Sequence, residues 1–193
     1  MSRKSSFSKK DLLEIAKGQF RDKSIGKLPL PPMLMIDRII EISEVGGDYE
    51  KGYIKAEMDI SDNNWFFECH FKNDPVMPGC LGLDGFWQLI GFFLSWAGGK
   101  GKGRALGVKD LKFKGQVRPY HDIITYTIHI RKFIKKPTYM AWGNATLSVN
   151  NKEIYFAKDL QVGLFEKLVW DTGMDPSVAV SYTHLTLPTS DLV

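Results

Sequence analysis

Apolar and polar residues alternate most cleanly between Ile123 and Phe133. Ile124, Tyr126, Ile128 and Ile130 fall on one face, and Thr125, Thr127, His129 and Arg131 on the other. A period of two is that of a half-buried strand. Similar runs follow over Tyr139–Val149 and Glu153–Leu164, with Lys135-Lys136-Pro137 and Asn150-Asn151 as the intervening turns. Upstream, Met35–Val45 and Gly52–Ile60 read as a hairpin around Gly46-Gly47-Asp48, and Arg104–Val117 reads as one further strand. Ser8 followed by Asp11 is an N-cap signal with an acid three residues on, predicting a helix from about Lys9 to Gly18. Leu28-Pro-Leu-Pro-Pro-Met33 cannot be helical and is expected to be extended. Residues 61–79 carry Asn63-Asn64, Asp74-Pro75 and Pro78-Gly79 and are expected to be irregular. Cys80–Trp96 is apolar nearly all round, so the helix predicted there must be covered on most sides.

One greasy helix and a run of long antiparallel strands have a direct solution: a curved sheet wrapped around the helix. This is the α+β arrangement called the hot-dog fold. The 193 residues suit one domain, and 44% hydrophobic content supplies its core. A net charge of +4 suits an acidic partner but is too weak to indicate nucleic acid. The apolar run Phe86–Gly98, interrupted by Gln88, is too short for a membrane span, which needs about 20 residues. The basic start lacks the apolar stretch of a secretory signal. Two cysteines, Cys69 and Cys80, form no disulfide framework and are expected to be reduced and partly buried. The expected setting is therefore the cytoplasm.

The chemistry concentrates in His70-Phe-Lys-Asn-Asp-Pro-Val-Met-Pro-Gly-Cys-Leu-Gly-Leu-Asp84. His70 can take and return a proton near neutral pH. The amides of Gly79 and Cys80 open the predicted helix, where N–H groups lack intrahelical partners and the dipole is positive. They suit a thioester carbonyl as it becomes enolate-like, and Gly79 lets a ligand approach its backbone. Asp84 shares a helix face with Cys80 and can hold or give a proton. A lone histidine is ordinarily a satisfied core residue, and Pro78-Gly79 alone is an ordinary helix start. An aspartate in an apolar helix is different, because it is costly unless paired or used. His121 reads as a turn residue and His129 as a solvated strand residue. Cys69, Cys80 and His70 lack the spacing of a closed zinc site. Gly98-Gly-Lys-Gly-Lys-Gly103 follows a helix, opens none and lacks the Gly-Lys-Ser/Thr ending, so it is not a phosphate loop.

At these residues the chain resembles the bacterial beta-hydroxydecanoyl-acyl-carrier-protein dehydratase/isomerase family. The resemblance extends through Met33-Leu-Met-Ile-Asp-Arg38, Gly46-Gly-Asp-Tyr-Glu-Lys-Gly-Tyr53, Trp65-Phe-Phe67, Trp87-Gln-Leu89, Gly101-Lys-Gly-Arg-Ala-Leu-Gly107, Lys112-Phe-Lys-Gly-Gln116 and Val162-Gly-Leu-Phe165. It implies a homodimer of hot-dog subunits in which His70 of one faces Asp84 of the other. His70 would remove the C2 proton of a (3R)-3-hydroxyacyl thioester, and Asp84 would handle the departing 3-hydroxyl. The Gly79 amide would polarise the carbonyl, with Cys80 and Val76 lining the site. The family isomerises the trans-2 product to cis-3 on the way to unsaturated fatty acids. The dehydratase-only branch typically has Glu in place of Asp84. No metal or other cofactor is implied. Substrate would arrive on acyl carrier protein, an acidic partner for which Arg131, Lys132, Lys135 and Lys136 offer a docking patch. Competing readings are a dehydratase-only enzyme, a dehydratase module of a polyunsaturated-fatty-acid system, a hot-dog thioesterase and a non-catalytic acyl-thioester-binding protein. Product analysis separates the first two. A mere binder has no need of a buried acid.

The resemblance divides the chain into a dehydratase domain over 1–165 and an atypical tail over 166–193. Val180-Ser-Tyr-Thr-His-Leu-Thr-Leu-Pro-Thr-Ser190 looks like translated vector read-through. The native end is expected to be missing or replaced beyond about residues 166 to 178. The tail is expected to be poorly ordered and is assigned no function.

Overall fold

A computed structural model of the chain describes residues 3–166. The expectations for the tail fall outside the described residues, apart from Glu166. Helix α1 (Lys9–Ala16) starts as its sequence predicts. Ser8 Oγ accepts from the Asp11 amide at 3.3 Å, and the Ser8 amide donates back to Asp11 Oδ2 at 2.7 Å, a reciprocal cap. Strands β1 (Arg38–Ser43) and β2 (Tyr53–Asp59) form the expected hairpin, β1 being shorter at both ends than the apolar pattern predicts. Within 61–79 a short helix α2 (Trp65–Cys69) breaks the irregular stretch, its Phe66 and Phe67 buried. Helix α3 (Gly79–Trp96) begins one residue before its predicted start.

Strands β3 (Lys102–Gly107), β4 (Asp110–Phe113), β5 (Ile123–Ile134), β6 (Tyr139–Val149) and β7 (Lys152–Phe165) complete an antiparallel seven-stranded sheet. Its order is β1-β2-β5-β6-β7-β3, with β4 also on β7. The single strand predicted over Arg104–Val117 is therefore divided. Asp159 in β7 has a φ of 52°, so β7 kinks there. Opposite it the edge breaks at residues 108–109, between the β3 and β4 pairings. Beyond β4, Val117 leaves the sheet and its carbonyl accepts from the Met77 amide at 3.0 Å.

α3 lies against β2, β3, β5, β6 and β7, so the sheet covers it as the all-round apolar pattern requires. Phe86, Leu89, Ile90, Phe93 and Leu94 have no exposed surface. Close approach depends on glycine. A Cβ on Gly82 would lie 2.6 Å from the Tyr155 ring, and one on Gly85 2.7 Å from the Tyr126 ring. Alanine at Gly82 gains about 1 kcal/mol in helix propensity but meets an overpacking cost of about 1–3 kcal/mol. Gly82→Ala is expected to lower stability in urea denaturation, and a stabilised variant would contradict this packing. Among the described residues, no helix is long and apolar enough to cross a membrane.

Candidate active site

His70 caps the C-terminus of α2, its amide donating to Phe66 O at 2.9 Å. The following loop doubles back. The Val76 amide donates to His70 O at 2.8 Å, and His70 Nδ1 lies 2.9 Å from Val76 O. A carbonyl can only accept, so Nδ1 carries the proton and Nε2 of the neutral ring is a lone-pair acceptor. The Phe71 ring lies against the imidazole, centroids 3.9 Å apart. Val76, expected to line the substrate site, thus also orients the histidine through its backbone.

The Gly79 and Cys80 amides occupy the first turn of α3, whose N-cap, Pro78, offers no side-chain hydrogen bond. Those N–H groups have no intrahelical acceptor and point out of the helix. The Phe113 ring packs over Gly79 so closely that a Cβ there would lie 3.0 Å from it. Asp84 sits one turn further, half-buried. Its Oδ2 accepts from Gln88 Nε2 at 2.6 Å. Gln88 Nε2 also donates to Met33 O at 2.8 Å, while its Oε1 accepts from the Met35 amide at 3.0 Å. Gln88 therefore fixes the Asp84 carboxyl and ties it to the chain before β1. In the sequence it interrupts the apolar run of α3 and lies within the Trp87-Gln-Leu89 resemblance, but neither signal tells its role.

Beneath this helix face the side chains are deeply buried, Tyr126 fully and Tyr155 almost so. The Tyr126 hydroxyl is fully buried against Gly85 and has no hydrogen-bond partner among the described residues. Burial raises the pKa of Tyr126 above its ordinary value and pushes that of Tyr155 up to about 12. Among the described residues no hydrogen bond or ion pair joins His70 to Asp84, nor do three or more His, Cys, Asp or Glu side chains converge as a metal site.

The remaining candidates are placed as follows. Cys69 and Cys80 are both free thiols, but exposed rather than partly buried: Cys69 is the last residue of α2 and Cys80 the second of α3, each outside the buried stretch of its helix. His121 is the expected turn residue, its Nδ1 accepting from the Arg118 amide at 3.0 Å. His129 is not simply solvated. Its Nδ1 accepts from the Asp48 amide at 3.1 Å and closes the β1–β2 turn. In the basic cluster, Arg131 is bound to Asp159 (Nη2–Oδ1 2.5 Å) and Lys135 to Glu44 (2.9 Å). Lys132 Nζ lies 4.9 Å from the Trp142 ring centroid, and Lys136 is exposed in the β5–β6 turn. A surface cavity of about 720 Å³ at the other end of α3 is lined in part by Phe20, Ile25, Lys27 and Lys100, and includes neither His70 nor Asp84.

Among solved structures, the chain is similar to the dehydratase heterocomplex ApeI:P from Xenorhabdus doucetiae at 12% identity and a TM-score of 0.56. That alignment covers 71% of this chain and 86% of the other, and it is a likeness of fold. An uncharacterized protein of Pyrococcus horikoshii aligns at 13% identity over 69% of this chain and 85% of its own length, with a TM-score of 0.49, too low to bear on function. Residues 28–158 match the family profile described as the FabA-like domain, a span that holds His70, Gly79 and Asp84. The chain belongs to the FabA-like domain family, and its sheet wrapped on a buried helix is the α+β hot-dog fold.

Proposed function

We propose that the chain dehydrates a (3R)-3-hydroxyacyl thioester carried on acyl carrier protein to the trans-2-enoyl thioester, and isomerises this to the cis-3-enoyl thioester for unsaturated fatty acid biosynthesis. The observation that carries the reading is the orientation of His70. With Nδ1–H held on Val76 O, the basic Nε2 is the nitrogen left for substrate. In the first step Nε2 takes the C2 proton, and that electron pair forms the C2–C3 double bond as the C3–O bond breaks. Asp84, held by Gln88, gives the proton that turns the departing hydroxyl into water. The Gly79 amide, with Cys80 beside it, stabilises charge developing on the thioester oxygen. A proton passing from imidazolium to carboxylate through solvent resets the pair. In isomerisation the same imidazole takes a C4 proton and returns one to C2. Aspartate at position 84, where the dehydratase-only branch typically has glutamate, favours this second activity.

In this reading the working unit is a cytoplasmic homodimer whose sites pair His70 of one subunit with Asp84 of the other. Two features support it: among the described residues no hydrogen bond or ion pair joins His70 to Asp84, and β3 lies at the sheet edge, where a second copy can add a strand. The dehydratase domain is assigned to residues 1–165, and residues 166–193 are assigned no function. Incubation with 3-hydroxydecanoyl acyl carrier protein and chromatography of the products tests the reading. Trans-2 and cis-3 products together support it. Trans-2 alone moves the chain to the dehydratase-only branch, and no product from a folded dimer favours an acyl-thioester-binding protein.

Docking of the carrier is assigned to Arg131, Lys132, Lys135 and Lys136. Arg131 and Lys135 already hold acidic partners, so Lys132 and Lys136 are the informative pair. Reversing both to Glu is expected to raise KM for carrier-bound substrate by about tenfold and to spare a small thioester analogue. Equal effects on both substrates would remove the docking assignment.

A further inference from the structure

We propose that Arg118 is a positioning residue for His70, acting through the loop that carries the Val76 carbonyl. The inference rests on the dehydratase reading for its kinetic consequence, but its geometry stands apart from it. Residues 70–77 form a tight loop. Phe71 and Asp74 exchange backbone hydrogen bonds of 3.1 Å, Asn73 takes a φ of 67°, and Val76 closes back on His70. The loop is fastened from outside by the segment that leaves the sheet after β4. The Val117 carbonyl holds the Met77 amide at 3.0 Å, immediately after Val76. Arg118 Nη1 donates to Pro75 O at 3.0 Å, immediately before Val76, and to Asp74 Oδ1 at 2.5 Å. The acceptor that sets the His70 tautomer is thus held from both sides by consecutive residues of one strand exit.

The clamp is itself braced. Arg118 Nε and Nη2 both donate to Gln116 Oε1, at 3.0 and 2.6 Å, which orients the plane of the guanidinium. Its backbone amide is bound by His121 Nδ1 at 3.0 Å. The Arg118 side chain is only 22% exposed, against 63% for Asp74, so the arginine is the fixed member of the pair. A planar fork with several donors can serve Pro75 O, Asp74 and Gln116 at once, and a lysine ammonium on a flexible stem cannot reproduce that geometry. Displacing Val76 O would loosen the Nδ1–H bond and let the imidazole turn away from the substrate.

The test compares wild-type protein with Arg118→Ala and Arg118→Lys, each checked for folding by circular dichroism. Steady-state kinetics on a 3-hydroxyacyl thioester are read beside the ¹⁵N imidazole shifts of His70. For Arg118→Ala we expect kcat to fall on the order of 10- to 100-fold with KM within about twofold, since a small misplacement of a reacting group is costly and binding contacts are kept. The His70 shifts should move away from the Nδ1–H pattern, with Arg118→Lys intermediate in both readouts. If Arg118→Ala does not fold, the lysine variant reads the same two quantities. Unchanged His70 shifts would overturn the proposal, whether activity is kept or is lost only in proportion to the folded fraction. A wild-type protein that dehydrates nothing would overturn the functional reading, while the imidazole shifts would still decide the clamp.

Discussion

Replacing His70 with alanine is expected to lower kcat for dehydration by about 10²- to 10⁴-fold, the usual contribution of a positioned acid–base group. The loop should survive the change, because Val76 still donates to the backbone carbonyl of residue 70 and Arg118 still holds Pro75. Asp84→Asn is the sharper companion. The asparagine carbonyl can accept from Gln88 Nε2 as the carboxylate does, so the geometry is retained and only the exchangeable proton is removed. Both variants should show wild-type thermal midpoints and KM values close to wild type, the loss appearing in turnover. A folded His70→Ala protein that kept more than about a tenth of wild-type kcat would remove His70 as the base.

The largest effect on stability is expected at Phe93, which has no exposed surface. Its ring meets Phe133 edge-on at 5.4 Å and Trp96 at 6.1 Å. It also abuts Gly52, where a Cβ would lie 3.1 Å from it. Phe93 thereby joins α3 to β5 and to the start of β2. Phe93→Ala removes the ring's transfer energy and leaves a cavity that surrounding β-strands cannot collapse into, a cost of about 3–5 kcal/mol. That is a large part of the 5–15 kcal/mol typical of a whole domain. Urea denaturation at fixed protein concentration should show a lower midpoint with an unchanged slope. A loss below about 1 kcal/mol would mean that α3 is not packed as described.

Local signals served well where one rule dominates. The Ser8–Asp11 cap, the alternation in β5 and the apolar circumference of α3 each follow from short-range chemistry and appear where that chemistry puts them. What failed depended on partners far away in sequence. Residues 104–117 read as one strand, because the break at 108–109 lies opposite the left-handed Asp159 of its neighbour β7, a relation the local pattern does not carry. α2 was hidden because its five residues lie among turn signals and its helical state rests on burying Phe66 and Phe67. His129 looked solvated by strand phase alone, since the Asp48 amide that it binds belongs to another hairpin.

The candidate site divides in the same way. An acid in a greasy helix and a histidine before a Pro-Gly helix start are visible as types and spacing. The tautomer of His70, the Gln88 brace on Asp84 and the Arg118 clamp are relations between segments that only the fold brings together.

The most direct test of the proposed shared dehydratase site mixes two impaired proteins. Subunits carrying His70→Ala and subunits carrying Asp84→Asn are unfolded together, refolded and assayed on 3-hydroxydecanoyl acyl carrier protein. If each site takes His70 from one subunit and Asp84 from the other, about half of the dimers are mixed and each mixed dimer holds one intact site. About a quarter of wild-type activity should therefore return. Refolded dimers with no more activity than either parent would contradict a site built from both subunits.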